Sequence, residues 1–339
     1  MFCDNLKLEK SMYNVSNKSF TEVLEELDPS ENYKNTSFEN LDAYQRQLKR
    51  FDIKVSGPGC DTVEKFFCTP DSAVLFPEFL TRAIKQGIKT YDILDSIVAA
   101  TTKIPGGDYR SISATIEALN RYDIPEGESI RRVDVRKRTE LVNMIKHGRM
   151  LSSSYEALRY QNLDVIAVVL KQIGMDIARE QLNDALEVLL GSDEFTAADV
   201  IEAEYATTPS APKLQYSHLL QLWKELNPYK LNIMLASSKT INDILSLEEM
   251  RDATAGLDFQ GTGNIITPMG AKLIVCENVS DYNIIGVDKN FALQMIQSGD
   301  IVIEYDKVID KQLEQATITM TTGFSRIYRN SVKVLDYSI

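Results

Sequence analysis

From Leu163 to Leu190 the chain carries an apolar stripe interrupted only by Gly174, and few folds accommodate so long an unbroken helix. Leu163, Ile166, Leu170, Ile173 and Ile177 recur at alternating threes and fours, and Ala178, Leu182, Ala185 and Leu189 continue the stripe a step round. Gly191 supplies a left-handed stop, so the rod spans roughly 40 Å at about 1.5 Å per residue. A helix of that length crosses a whole domain. Ser153 followed by Glu156 has capping-box spacing and marks the expected start. Taken alone, the stripe fits a core helix of a large enzyme equally well.

The segment before it, Glu126 to Arg149, reads EGESIRRVDVRKRTELVNMIKHGR. Val133 and Val135 alternate with polar residues, as do Leu141, Asn143 and Ile145, which predicts two strands of a projecting hairpin around Arg136, Lys137 and Arg138. Arg131, Arg132, Arg136, Lys137, Arg138, Lys146 and Arg149 are opposed there only by Asp134 and Glu140, in a chain of formal net charge −12. A basic arm too polar to fold into its own core suits an acidic surface on a neighbouring copy, although a solvated surface hairpin has the same composition. Two acidic stretches are candidate partners: the first 40 residues, and residues 191–260 with eleven acids against five Lys or Arg.

With 339 residues, 44% hydrophobic and 25% charged, the chain has room for two domains or one elongated one and reads as folded rather than disordered. No apolar run approaches the roughly 20 residues of a membrane span, and MFCDNLKLEK lacks the apolar core of a signal peptide, so a cytoplasmic origin is expected. Cys3, Cys60, Cys68 and Cys276 lack C-x-x-C spacing and are expected as free thiols. The acidic balance argues against strong general affinity for nucleic acid but allows a container whose wall repels it.

In chain order, Ser19–Leu27 predicts a short helix ending at Asp28-Pro29, and Ser37–Phe51 another with Phe38, Leu41, Tyr44, Leu48 and Phe51 on one face. Gly59–Thr69 reads as an extended arm whose adjacent Phe66 and Phe67 face opposite ways, and Pro77–Gln86 as a helix stopped by Gly87. Strands are expected at Asp92–Thr102 and Tyr109–Leu119. Beyond the long helix, short alternating elements suggest an α/β lobe. Its helices are expected at Leu214–Leu226, Lys239–Met250 and Phe291–Ser298, and its strands at Lys230–Ala236, Lys272–Cys276 and Tyr282–Val287. Ile301–Tyr305 and Ala316–Thr321 read as further strands, with Phe324–Val334 packing back beneath the long helix.

A search for catalytic chemistry is mostly negative. His147 and His218 cannot build a recognisable metal spacing and read as surface or satisfied structural histidines. The phosphate-binding and nucleophile-elbow motifs are absent, and the third glycine of a G-x-G opened by Gly261 and Gly263 would fall at Ile266. Acid pairs such as Asp193-Glu194 and Glu248-Glu249 read as solvated faces. No enzymatic activity and no cofactor are expected.

Assembled in order, the chain resembles the major capsid proteins of tailed bacteriophages, the lineage shared with encapsulin shells. EGESIRRVDVRKRTELVNMIKHGRMLSSSYEALRYQNLDVIAVVLKQIGMDIARE looks like that family's extended loop running into its spine helix. TGNIITPMGAKLIVCENVSDYNIIGVDKNFALQMIQSGDIVIEYD is similar to its axial lobe, and ATITMTTGFSRIYRNSVKVLDY to its closing peripheral strands. The resemblance implies an α+β, tailed-phage major capsid protein fold. Its parts would be an N-terminal extension (1–56), an arm and helix (57–90), peripheral strands (91–123), an extended-loop hairpin (124–152), the spine helix (153–194), an axial domain (195–302) and closing strands (303–339). It implies a virion component, assembled in the host cytoplasm as pentamers and hexamers into an icosahedral shell around non-specifically held double-stranded DNA. Scaffold, portal and decoration proteins are candidate further partners, and no membrane is involved. The seven basic hairpin residues, with Phe66 and Phe67 of the arm, would contact neighbouring subunits. An encapsulin-like compartment shell is the alternative.

Some members join a loop lysine to an asparagine just before the penultimate strand, where this chain has Glu314-Gln315. Boiled, reduced particles should therefore run as single chains on a denaturing gel; covalent rings would contradict this.

Overall fold

The computed structural model describes residues 6–15, 18–91, 93–115, 126–127, 134–137, 141–154, 157, 159–191, 198–205, 212–251 and 266–338. Contacts divide the chain into two compact units, one comprising Met1–Asp92, Ile145–Gln181 and Ser298–Thr321, the other Ile93–Met144, Leu182–Gln297 and Thr322–Ile339. The long helix is continuous over Leu163–Leu190. Its strands, in chain order, are β1 (Val98–Ile104), β2 (Ile112–Thr115), β3 (Asp134–Lys137), β4 (Met144–Ser154), β5 (Asp199–Glu202), β6 (Ile233–Ala236), β7 (Lys272–Val275), β8 (Asn283–Val287), β9 (Leu293–Val308), β10 (Leu313–Arg326) and β11 (Val332–Asp336). They form a four-stranded sheet of order β1-β9-β10-β4, a five-stranded sheet of order β5-β11-β8-β6-β7, and a two-stranded ribbon β2-β3.

In the first unit the long helix lies against the helix Phe76–Thr90, and the crossing is set by glycine. A Cβ on Gly174 would stand 2.3 Å from the Ile84 carbonyl oxygen and 3.1 Å from the Gly87 Cα, while one on Gly87 would stand 2.1 Å from the Lys171 carbonyl oxygen. The backbones approach this closely because neither residue carries a side chain. Leu163, Ile166, Leu170 and Ile177 of the stripe are buried, as are Phe76, Leu80 and Ile84 of the partner helix. Each such side chain is worth about 1.5–3 kcal/mol of transfer free energy. β10 alternates strictly over Glu314, Ala316, Ile318 and Met320, all buried, with half-buried residues between them.

The N-terminal helices follow their local signals. Ser19 caps Phe20–Leu27 in a full capping box with Glu22, and Asp42 caps Ala43–Arg50 with Gln45. The second helix therefore starts six residues later than Ser37, because Asp42 offers the backbone a cap and residues 37–40 turn instead.

In the second unit the five-stranded sheet is mixed. β6 runs parallel to β7 and antiparallel to β8, and β11 runs parallel to β5 and antiparallel to β8. Helices Tyr216–Glu225 and Ser238–Leu245 bring Leu219, Leu222, Ile241 and Ile244 onto a core with Met234, Ala236, Leu273, Ile284 and Leu335. The buried Asp288 carboxylate accepts from the Lys230 amide at 2.9 Å and from Asn232 Nδ2 at 3.1 Å, so its desolvation is met by donors.

Several expectations are corrected. The long helix starts at Leu163, not Ser153: β4 continues through Ser154, whose Oγ accepts from the Ala157 amide at 3.2 Å, and Glu156 lies outside the described residues. Gly87 is an interior crossing residue, not a stop. The arm is not extended, since Val63–Phe67 is a 3₁₀ helix. Phe66 is fully buried in its own chain, with ring centroids 5.5 Å from Phe76 and 5.7 Å from Phe79; Phe67 rests on Phe76 at 5.2 Å. Residues 93–97 are helical before β1 begins. Phe291–Ser298 is largely the start of β9 rather than a helix, because residues 292–297 are buried on both faces and lose the alternation that marks a strand. Phe324–Val334 is the end of β10 followed by β11, which joins the five-stranded sheet.

The glycine crossing makes a sharp prediction. Gly→Ala in a helix ordinarily gains about 1 kcal/mol, but overpacking costs about 1–3 kcal/mol, and a contact of 2.3 Å onto backbone leaves little room to relax. Gly174→Ala should lower stability by about 1–2 kcal/mol in urea unfolding; an unchanged or raised midpoint would contradict the close approach.

Candidate assembly surface

The two-stranded ribbon is built from other strands than the alternation suggested. β3 pairs antiparallel with β2, in the register Ile112↔Lys137, Ser113↔Arg136, Ala114↔Val135 and Thr115↔Asp134. Arg136 and Lys137 thus lie within a strand rather than at a turn. The run Leu141–Ile145 is not its partner: the Val142 amide donates to the Tyr109 carbonyl at 2.8 Å, and β4, starting at Met144, pairs with β10. Of the two alternating runs, Asp134 and Val135 lie in β3 and Met144 and Ile145 in β4, Leu141–Asn143 belong to no strand and Val133 lies outside the described residues. Glu126 and Gly127, the latter at φ 86°, form an exposed turn between β2 and β3. Arg131, Arg132 and Arg138 lie outside the described residues. A two-stranded ribbon is marginal in water unless a further surface covers it.

The remaining basic residues divide. Lys137 and Lys146 are exposed. Arg149 donates to the Gly148 carbonyl at 3.0 Å and pairs with Glu180 of the long helix, whose other carboxylate oxygen lies 3.2 Å from His147 Nδ1. Its guanidinium is therefore already engaged within its own chain.

Sequence reasoning missed an exposed apolar face on the same helix. Val165, Val168 and Val169 are 51%, 65% and 47% exposed, opposite the buried stripe. Met150 of β4 and Tyr160 ahead of the helix are also exposed, as is Ile309 at the β9–β10 turn. The spacing of the three valines at i, i+3 and i+4 was visible as a second stripe, masked by the stronger one. In the second unit the single tryptophan, Trp223, is half exposed beside Leu220 on the helix Tyr216–Glu225.

Among the described residues no group of three or more His, Cys, Asp or Glu stands close enough to hold a metal. His218 is buried and structural: its Nδ1 accepts from the Gln215 amide at 3.3 Å, its Nε2 lies 3.1 Å from the Glu204 carbonyl oxygen, and burial lowers its pKa. Burial raises that of the Cys276 thiol, which is free, as are Cys60 and Cys68; Cys3 lies outside the described residues. Hydrogen bonding from Lys333, with Arg329 beside it, holds the Asp199 carboxyl below the usual range, an ion-pair arrangement on a strand. Glu248 and Glu249 are exposed; Gly261, Gly263, Asp193 and Glu194 lie outside the described residues. An apolar cleft lined by Phe76, Leu80, Leu151, Ile166 and Ala316 offers about 10 Å³, against the hundreds a metabolite site needs.

No protein-family profile and no curated protein matches the sequence. Solved structures do match. The virus-like particle from Pyrococcus furiosus aligns with TM-score 0.51 and 12% identity over 76% of this chain and 98% of its own. The capsid of the native GTA particle aligns with TM-score 0.54 and 13% identity over 74% and 91%, and that of the empty GTA particle with TM-score 0.54 and 13% identity over 74% and 90%. With a long helix beside a β-sheet, a two-stranded ribbon and a mixed-sheet lobe, the chain has the capsid fold of these particles, the fold that the resemblance to tailed-phage major capsid proteins implied.

Proposed function

We propose that the protein is a major capsid protein whose copies join as pentamers and hexamers into an icosahedral head enclosing double-stranded DNA. The observation that carries the proposal is the fold match, which spans three quarters of this chain and nine tenths or more of each capsid chain. The surface chemistry supports it. The β2–β3 ribbon has too few strands to be stable alone, and its flank is basic in a chain of net charge −12. The valine face of the long helix is the sort of exposed apolar surface that marks an interface. A ribbon lying across that face on a neighbour would cover both. Large shared contacts of this kind make stability a property of the assembly rather than of one copy.

The test is nuclease protection. Particles purified from producing cells should carry double-stranded DNA that survives nuclease until they are opened; particles filled with a co-purifying enzyme and free of DNA would favour the compartment reading instead.

Two variants probe the surfaces. Arg131→Glu, Arg132→Glu and Arg136→Glu combined should reduce particle yield roughly tenfold at physiological salt, as the reversed charges are repelled by neighbours that are each net negative; an unchanged yield would remove the hairpin from assembly. Val168→Lys should leave the fold of the isolated chain intact, because the side chain is 65% exposed, yet lower particle yield by a similar factor. Normal particles from that variant would show that the valine face stays in solvent.

A further inference from the structure

Residues 6–54, within the N-terminal extension, make the contacts of a fixed part. Arg46 is only 1% exposed. Its Nε donates to Asp28 Oδ2 at 2.8 Å, its Nη1 to the Leu41 carbonyl at 2.6 Å and to Ser30 Oγ at 3.0 Å, and it stacks 4.3 Å from the Tyr33 ring centre. The Tyr33 hydroxyl donates to the other Asp28 oxygen at 2.7 Å. A buried guanidinium is tolerated only when its charge and donors are met this fully. Phe20, Leu24, Tyr44 and Leu48 of the same segment are buried.

The segment is also joined to the helix Phe76–Thr90 by partners that helix needs. The Tyr13 hydroxyl donates to the Val74 carbonyl at 2.8 Å and accepts from the Glu78 amide at 3.1 Å, an amide in the first helical turn that has no partner in its own helix. Thr21 Oγ1 donates to Glu78 Oε1 at 2.6 Å. Arg82 donates through Nε to Glu78 at 3.0 Å, through Nη1 to Asp42 at 2.7 Å and through Nη2 to Thr21 at 3.0 Å, with its guanidinium over the Tyr44 ring. Stripping residues 6–54 away would remove Tyr13, Thr21, Asp42 and Tyr44 from these contacts and bare the apolar side chains beneath.

We infer that residues 6–54 are a permanent clasp: they hold the helix Phe76–Thr90 in the position from which Gly87 meets the long helix, and they stay on the subunit when it works. The clasp itself is independent of the shell reading; only its retention in particles rests on it.

The chain supplies its own cutting point. Ser56, Gly57, Pro58 and Gly59 are exposed, with Gly57 and Gly59 at φ 85° and 79° and open space around both. A site-specific protease sequence inserted between Gly57 and Pro58 allows the folded protein to be nicked there. The two pieces should co-elute in size exclusion at micromolar concentration, and the nicked protein should melt within a few degrees of the intact chain. Release of the N-terminal piece from a remainder that keeps its circular dichroism would overturn the inference. Arg82→Gln should weaken retention of the piece at least tenfold while Arg82→Lys restores part of it; equal retention in all three forms would also overturn it. Mass spectrometry of subunits from assembled particles should find residues 6–54 present, and particles lacking them would refute their retention. A failure to form particles would instead count against the shell reading and leave the nicking result standing.

Discussion

Two helices meet backbone to backbone at Gly87 and Gly174, and much of the first unit depends on that contact. Side chains at either position would force the axes apart by more than the core could refill. With the glycines in place, the apolar stripe of the long helix interdigitates with Phe76, Leu80 and Ile84. The 28-residue helix then has a fixed position as well as a length. Polar bonds from residues 6–54 hold the other side of the same short helix, so its position is set from two directions.

On the proposed reading the chain is a shell subunit, which has to be rigid where it bears load and incomplete where it meets its copies. The chain divides these tasks by composition. Buried apolar stripes and fully satisfied polar groups such as Asp288, Arg46 and His218 make the rigid parts, because a desolvated charge or amide is stable only with its partners fixed. On that reading the two-stranded ribbon of β2 and β3, whose pairing alone is marginal, and the exposed valines at 165, 168 and 169 are the incomplete parts. That contrast, rather than any cluster of reactive groups, gives the surface its functional meaning.

Much of this was legible in the residues. The long helix follows from its stripe, the short helix after Ser19 from its pattern ending at Asp28-Pro29, and β7 and β8 from short apolar runs between turns. What was not legible depended on distant partners. The runs at 133–135 and 141–145 have equal claim to pair with each other, and only the tertiary structure assigns β3 to β2 and β4 to β10. The start of β9 hides as a strand because both its faces are buried. Gly87 reads as a stop in sequence and acts as a contact in three dimensions, since what decides its role is the Lys171 carbonyl from another helix. The basic hairpin is proposed from charge alone, whereas the arm around Phe66 reads as extended because two adjacent aromatics say nothing about the 3₁₀ turn that packs Phe66 on Phe76 and Phe79.

The central claim is that one copy of this chain is unfinished and that contact with others completes it. Sedimentation of the purified protein across a hundredfold range of concentration and from low to high salt tests that directly. The account predicts a shift from slow species to large closed particles as concentration rises, with salt moving the transition. A single slow boundary at the mass of one chain under every condition would contradict it.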